Sequence, residues 1–451
     1  MSVKRSLPCG FCLIVLMFAL PATAQDMSLE ALWEKIQELE SEVDALKQKN
    51  AELEERAITS RPAPQQGQIL PGRDPDAPLS AQEEQGSFEV YGFAQVDAIY
   101  DFNRVDPDWN DGSRPSKIPV ANPDQFGSDG ESIVSVRQSR IGFRSVVPSS
   151  MGPIKTWFEW DLYGAGNDAG DSDLNLRHFW GELGSFGGGQ TWTNWMDIDI
   201  FPNTIDYWGP PGMVFIRKPQ VRYTKTLSDS GSLFSVALED PGNDVDAGVV
   251  RDLDPDLADA LQTKEPVFDI TARYRGEHDW GHWQLGGILR RLEAESTNPG
   301  NRPSDNDTGW GMNLTSVVTT FGRDQLKAGV VYGEGIAAYF NDGGSSLGVK
   351  QGGIEAIESL GISLFYDRYW DDNWSSSFGW SMHEQDNLRG QQDDAFKRGQ
   401  LAQANLLWSK EGFMTGAEMI WSKRDDNNGA DNTDFRVQYS LKYNFAHEFF
   451  D

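Results

Sequence analysis

The sequence predicts an all-β fold, a 16-stranded transmembrane antiparallel β-barrel with an N-terminal α-helical coiled coil. Three observations predict it. First, the final stretch alternates: Phe435, Val437, Tyr439, Leu441, Tyr443 and Phe445 form one series, and Arg436, Gln438, Ser440, Lys442 and Asn444 the other. Side chains on a strand alternate faces, so this segment is greasy on one side and polar on the other. About ten such residues, tilted, cross a bilayer. Second, similar segments recur from residue 88 onward, separated by short turns and long loops in alternation. A transmembrane barrel has that asymmetry between its two ends. Third, residues 29–57 carry heptads. An amphipathic strand of a soluble sandwich would explain the first observation but not the second.

Composition narrows the class. The chain has 451 residues and a formal net charge of −30, which argues against a nucleic-acid partner. Aromatics make up 12%, with 16 Trp, a share suited to rings at membrane interfaces. Residues 1–24 read as a secretory signal: Lys4 and Arg5, then an apolar run from Phe11 to Leu20, then Ala22-Thr23-Ala24 before Gln25. The run is short for a membrane anchor, and no lipid-accepting Cys follows it. Cys9 and Cys12 both lie inside this segment, so the mature chain is expected to hold no disulfide, thiol nucleophile or thiolate metal site.

Residues 25–57 are expected to form a coiled coil. Leu29, Ile36, Val43, Asn50 and Ala57 occupy heptad position a, and Leu32, Leu39, Leu46 and Leu53 position d. The pairs Lys35–Glu40, Glu42–Lys47 and Lys49–Glu54 bring opposite charges across the seam. Asn50 in the apolar stripe would fix register, and the heptads leave two or three strands open. Such a helix is about 45 Å long at roughly 1.5 Å per residue. Residues 58–86 are a linker, with Pro62, Pro64, Pro71, Pro75 and Pro78 among Gln, Gly, Ser and Asp.

Residues 87–451 are the barrel. Candidate strands are 88–101, 132–147, 154–164, 174–183, 188–194, 214–226, 232–239 and 267–276. They continue at 282–292, 309–321, 325–333, 358–370, 374–384, 397–409, 413–424 and 433–449. Only closure of the sheet pairs every backbone group at bilayer depth. The long loop 240–266 is acidic and reads as solvated, or as a bridge through divalent cations to lipopolysaccharide; its Asp spacing does not fit an EF-hand.

Alternation also sorts the charges. With Ile141 and Phe143 towards lipid, Arg140 and Arg144 face the lumen. With Trp180 outward, Arg177 points in; with Val221 and Tyr223 outward, so does Arg222; Arg273 joins them. Arginines on nearby strands make a positive wall, and a low-dielectric barrel focuses its field on anions. The alternative is that they pair with lumenal acids such as Glu89, Asp97 and Glu159.

The segments VYGFAQVD at 90–97, SRIGFR at 139–144 and LRHFWGELGSFG at 176–187 resemble the first strands of trimeric general-diffusion porins. The order of coiled coil, Pro-rich tether and barrel resembles the DcaP-like porins, a trimeric family associated with uptake of dicarboxylates and other small anions. The resemblance implies that Arg140 and Arg177 line the basic side of a constriction. It implies that the loop Trp195–Met213 folds into the barrel, setting Asp197 and Asp199 opposite the arginines, or else packs outside on a trimer. The end Phe449-Phe450-Asp451 resembles the family's aromatic assembly signal, shifted by one residue.

For an enzyme, the five histidines His178, His278, His282, His383 and His447 form no recognisable local Ser/His/Asn cluster, and no H-E-x-x-H occurs. The expectation is a non-enzymatic, cofactor-free and metal-free channel for passive diffusion of small anionic solutes. It would be a homotrimer in the outer membrane of a Gram-negative bacterium, among lipid and lipopolysaccharide, with the coil in the periplasm. The alternative is a structural barrel tethered through its coil to the cell wall, with peptidoglycan as partner.

Overall fold

Every-other-residue alternation becomes sixteen strands that close on themselves. They are β1 (Ser87–Asp101), β2 (Arg140–Val147), β3 (Ile154–Asp161), β4 (Asn175–Leu183), β5 (Phe186–Trp192), β6 (Arg217–Thr226), β7 (Leu233–Glu239) and β8 (Asp269–His278). The second half is β9 (Gly281–Ser296), β10 (Ser304–Thr319), β11 (Gln325–Glu334), β12 (Glu358–Tyr369), β13 (Trp374–Asp386), β14 (Phe396–Lys410), β15 (Phe413–Asp426) and β16 (Asp431–Glu448). The computed structural model describes residues 86–120, 130–164, 173–228, 230–298, 304–350 and 353–449. The expected signal peptide, the coiled coil and nearly all of the linker lie outside the described residues.

Each strand pairs antiparallel with the next. β16 returns to β1 in one unbroken register from Glu89↔Glu448 to Asp101↔Arg436. Closure removes the unpaired edge, as a bilayer requires. On β16, Phe435, Tyr439, Leu441, Tyr443 and Phe445 are exposed, whereas Arg436, Gln438, Ser440 and Lys442 are buried. Ile270, Tyr274, Leu285, Leu289, Trp310 and Leu314 continue the apolar outer face on β8–β10.

Some expected boundaries shift. The segment 132–147 is two pieces, Glu131–Ser135 and β2, split by a turn. The turn's side chains reach inward instead of continuing the pleat: Arg137 Nη1 donates to Asp111 (3.0 Å), and Gln138 Nε2 to Asp97 (2.9 Å). Leu261–Lys264 likewise extends β8 alongside β9, so eighteen paired segments make sixteen staves. β9 and β10 run past the apolar band, because their polar ends keep pairing to Glu295↔Ser304. The acidic loop is more structured than expected. It holds two short helices, α1 (Val250–Leu253) and α2 (Pro255–Ala260), and Asp254 caps α2 by accepting from Leu257 N (3.1 Å). Its Val245–Asp246 joins Leu347–Lys350 and Gly353–Ala356 in a small sheet.

The largest hydrophobic cluster lies inside the barrel. Residues 193–216, between β5 and β6, enter the lumen and press Trp195, Ile198, Ile200 and Phe201 against inward residues such as Ile288, Val317 and Val331. Burying a side chain of this size is worth about 1.5–3 kcal/mol. Trp195 fits because the wall under it is glycine: a Cβ at Gly311 would stand 2.8 Å from its ring. The strands are unequal. β2–β7 have 7 to 10 residues each, and β9–β16 have 10 to 18.

Candidate functional site

The inner loop is fastened mostly to the side of the barrel formed by β7–β16. Asn194 N donates to Glu239 on β7 (2.7 Å), Gln284 on β9 to Met196 O (2.9 Å), and Asn313 on β10 to Trp195 O (2.8 Å). Lys327 on β11 donates to Phe201 O (2.8 Å), and Asn405 on β14 to Asn203 O (2.7 Å). Glu418 on β15 accepts from Thr204 Oγ1 (2.6 Å), Ile205 N (3.1 Å) and Asp206 N (3.0 Å). Gln438 on β16 donates to Ile205 O (3.1 Å). The inward polar groups of the long strands are thus spent on a loop backbone that carries no ladder of its own. The wall of β2–β6 bonds the loop at fewer points, through Asp161 to Tyr207 Oη (2.9 Å).

On that wall two carboxylates organise the arginines. Glu159 on β3 accepts from Arg177 Nε (2.7 Å) and Tyr91 Oη (2.7 Å), with Arg140 Nη1 at 3.3 Å. Asp161 accepts from Arg177 Nη1 (2.8 Å), Tyr207 Oη (2.9 Å) and Asn175 Nδ2 (2.9 Å). Both acids and both arginines are buried, and each acid has several donors, the condition under which buried charges persist. Burial and the Asp161 charge push the Tyr207 phenol up, so it stays a neutral donor. A third guanidinium, Arg217, lies 4.9 Å from the Trp192 ring centroid and makes no ion pair with any described residue. Three guanidiniums therefore face two carboxylates. Arg140 and Arg177, with Trp192, Ile198, Phe201, Tyr207 and Phe215, bound a small cavity of about 20 Å³. Beside it a cavity of about 400 Å³, sharing Trp192, Tyr207 and Phe215, opens towards the long loops at Trp109 and Phe340.

Arg177 points inward for a reason other than alternation. Glu159 pairs with His178 but Trp160 with Leu176, so Arg177 is the extra residue of a bulge. Bulges re-aim side chains in this way. Trp180, expected outward, is buried inside the lumen. Its ring lies over Gly187, where a Cβ would come within 2.1 Å, and Arg222 stacks on it at 4.7 Å. Arg144 faces inward beside Glu89 (3.8 Å) and over Tyr91 (4.2 Å).

Three expected residues fall elsewhere. Arg273 is inward but lies beneath the loop, with Nη1 3.4 Å from Met196 O. Asp197 does not face the arginines. It is buried against the opposite wall, accepting from Thr315 Oγ1 (2.6 Å), with His282 Nε2 at 2.9 Å and Arg275 Nη1 at 3.3 Å. Burial alone would raise its pKa, but His282 and Arg275 hold the carboxyl below its usual range. Asp199 pairs with Arg275 as well (2.6 Å). The loop turns its acids to the wall because they anchor it there. Asp197, Asp199 and His282 bring ligand atoms within 4.8 Å of one another, yet the Arg275 guanidinium already supplies the positive charge among them.

Sequence reasoning missed Arg217, whose parity with Val221 and Tyr223 reads as outward. β5 leaves β4 beyond the Phe179–Gln190 pair and carries the start of β6 into the lumen, which re-aims it. The run Gly344-Ser345-Ser346-Leu347-Gly348 fits a nucleophile elbow by letters. However, Ser346 is buried, accepts from Ala338 N (3.1 Å) and leads into a strand.

The crystal structure of the outer membrane channel DcaP of Acinetobacter baumannii is similar, with a TM-score of 0.69 at 21% identity over 82% of this chain and 99% of that one. An anion-selective porin from Comamonas acidovorans is similar at a TM-score of 0.52 and 9% identity, over 80% of this chain and 100% of that one. At these identities the likeness is one of fold. No curated protein matches the sequence. The family model for the DcaP outer membrane protein matches residues 17–445, nearly the whole length. This chain therefore belongs to the DcaP family of outer-membrane porins.

Proposed function

We propose that the chain is a passive, water-filled channel that favours small anions, dicarboxylate-like ones among them, and works as a homotrimer with its N-terminal segment in the periplasm. The observation that carries this reading is the charge count around the small cavity, which would be the channel's throat, and the larger cavity beside it, where Arg140, Arg177 and Arg217 stand against Glu159 and Asp161. Paired with carboxylates, Arg140 and Arg177 give position and shape more than field. The surplus charge sits on Arg217, beside a low-dielectric aromatic lining that focuses it. Selectivity follows the local charge at the narrowest point, so the net −30 of the whole chain does not set it. The test is the reversal potential of the mature chain in planar bilayers across a KCl gradient, with and without succinate. Chloride preference that succinate reduces fits the reading, and potassium preference refutes it. The tether reading predicts a different variant: deletion of 25–86 would abolish wall attachment and leave conductance unchanged.

A further inference from the structure

The cavity of about 400 Å³ beside the throat has a lining that simple anion conduction does not need. Trp109, Tyr163, Tyr207, Trp208, Trp192 and Phe215 all border it. They form two tracks. On one side Trp109 meets Trp208 edge-on at 5.0 Å, and Tyr207 stacks on Tyr163 at 3.6 Å. On the other side Trp192 and Phe215 lie 5.0 Å apart, and Phe215 and Phe201 5.1 Å apart, which leads down to the throat. A pore for small hydrated ions gains nothing from walls that cannot replace hydration. A pocket of this size with aromatic walls and few polar groups has the make-up of a small-molecule site.

The polar groups narrow the class of ligand. Most side-chain donors around the cavity are already used. Gln190 Nε2 donates to Leu176 O (2.9 Å), Asn175 Nδ2 to Asp161 (2.9 Å) and Asn341 Nδ2 to Trp208 O (2.6 Å). Trp208 Nε1 donates to Asn341 O (2.8 Å), Tyr207 Oη to Asp161 (2.9 Å) and Tyr163 Oη to Asp111 O (3.2 Å). Two donors are left over: Trp192 Nε1, which has no hydrogen-bond partner among the described residues, and the Arg217 guanidinium, which has no ion pair with any of them and is the one cation. A sugar needs many free donors and acceptors around its hydroxyls. A ring bearing a carboxylate needs π faces and one cation, and a planar guanidinium takes a carboxylate with two hydrogen bonds.

We propose that this cavity is a recognition subsite for ring-bearing carboxylates, with the ring on the aromatic tracks and the carboxylate on Arg217. Such solutes would dwell next to the throat before passing it, whereas short aliphatic carboxylates would pass without dwelling. The proposal rests on the anion-favouring reading above.

The probe is benzoate, with acetate and maltose as comparators, and the readout is transient blockade of single-channel current through the full chain. Benzoate is expected to block at concentrations roughly tenfold below those of acetate, as ring contacts of about 1 kcal/mol and more imply. Maltose is expected not to block. Phe215→Leu keeps the apolar volume and should weaken benzoate block about fivefold, the loss of one ring contact. Phe215→Tyr should restore it. Arg217→Gln should abolish the advantage of benzoate over benzyl alcohol. Equal block by benzoate and acetate, block by maltose as strong as by benzoate, or indifference to both substitutions would overturn the proposal. The KCl reversal potential on the same membranes, measured without benzoate, reports separately on the underlying reading. A potassium-selective pore fails that reading, and a chloride-selective pore blind to benzoate fails only the subsite.

Discussion

The two halves of the barrel wall carry similar inward charges and use them differently. On β7–β16 the inward groups hold a loop: Glu239, Gln284, Asn313, Lys327, Asn405, Glu418 and Gln438 each bond to residues 194–206. On β2–β6 the bonds to the loop are fewer, Tyr207 Oη donating to Asp161 (2.9 Å), and Arg140, Arg177 and Arg217 border the two cavities. Facing inward is therefore not enough to make a charge a pore residue. What counts is how densely the loop is bonded over it, and the loop's own anchors decide that. The arginines lie on the short strands β2–β6, and most of the loop's anchors on the long strands β9–β16.

The strongest effect belongs to the arginine wall. Arg177→Ala leaves Glu159 and Asp161 buried with their main cation gone, a loss of about 3–5 kcal/mol. It also turns the three cations and two acids around the proposed throat to an even balance. Expected outcomes are a lower unfolding temperature in detergent and a reversal potential close to zero. If stability held and selectivity alone fell, Arg177 would not be the clamp its two ion pairs describe.

On the covered wall, Glu418→Ala removes the acceptor of Thr204 Oγ1, Ile205 N and Asp206 N at once. Buried donors left unmade cost about 1–3 kcal/mol each, less whatever water recovers. The loop should loosen, with faster amide exchange at Ile205 and Asp206, noisier current and a wider pore. Unchanged exchange at these amides would break the assignment of this wall to loop anchoring.

Much of the fold was legible because period-two alternation is local and repeats: the series from Phe435 to Phe445 shows its two faces in any register. The site was legible only in part. Parity gave Arg140 and Arg222 their inward side, and gave Arg177 the same answer although a bulge is what puts it there. It misplaced Trp180, because the space over Gly187 is visible only once β4 and β5 are paired. It read Arg217 as outward, because β5 and β6 turning into the lumen is a tertiary event. Asp197 and Asp199 went astray for a related reason. The residues that bind a loop to a wall are themselves charged, and sequence does not mark which side of the loop they serve.

Arg217→Gln should cost little stability, since the guanidinium has no ion pair with a described residue, and its contact with Trp192 is worth about 0.5–1 kcal/mol. It should lower the chloride-to-potassium permeability ratio severalfold, because it removes the surplus charge of the throat. A large stability loss with unchanged selectivity would make Arg217 a structural residue.

Arg273→Gln should do least. By alternation Arg273 is as inward as Arg222, and a uniform basic wall would give the two equal weight. In the structure the inner loop comes between Arg273 and the throat, and Arg273 Nη1 is directed at Met196 O (3.4 Å) and Gln284 Oε1 (3.5 Å). A guanidinium held behind a loop backbone adds little to the potential felt by a hydrated ion on the far side, since intervening dipoles and electrolyte screen it. The reversal potential of Arg273→Gln should match that of the unsubstituted chain at 0.1 M KCl, even where Arg217→Gln has shifted it. If both substitutions moved the potential equally, the covered wall would contribute to the field after all. Selectivity would then be a property of the whole ring of inward charge, as the sequence alone suggests, and the loop would set only the size of the opening.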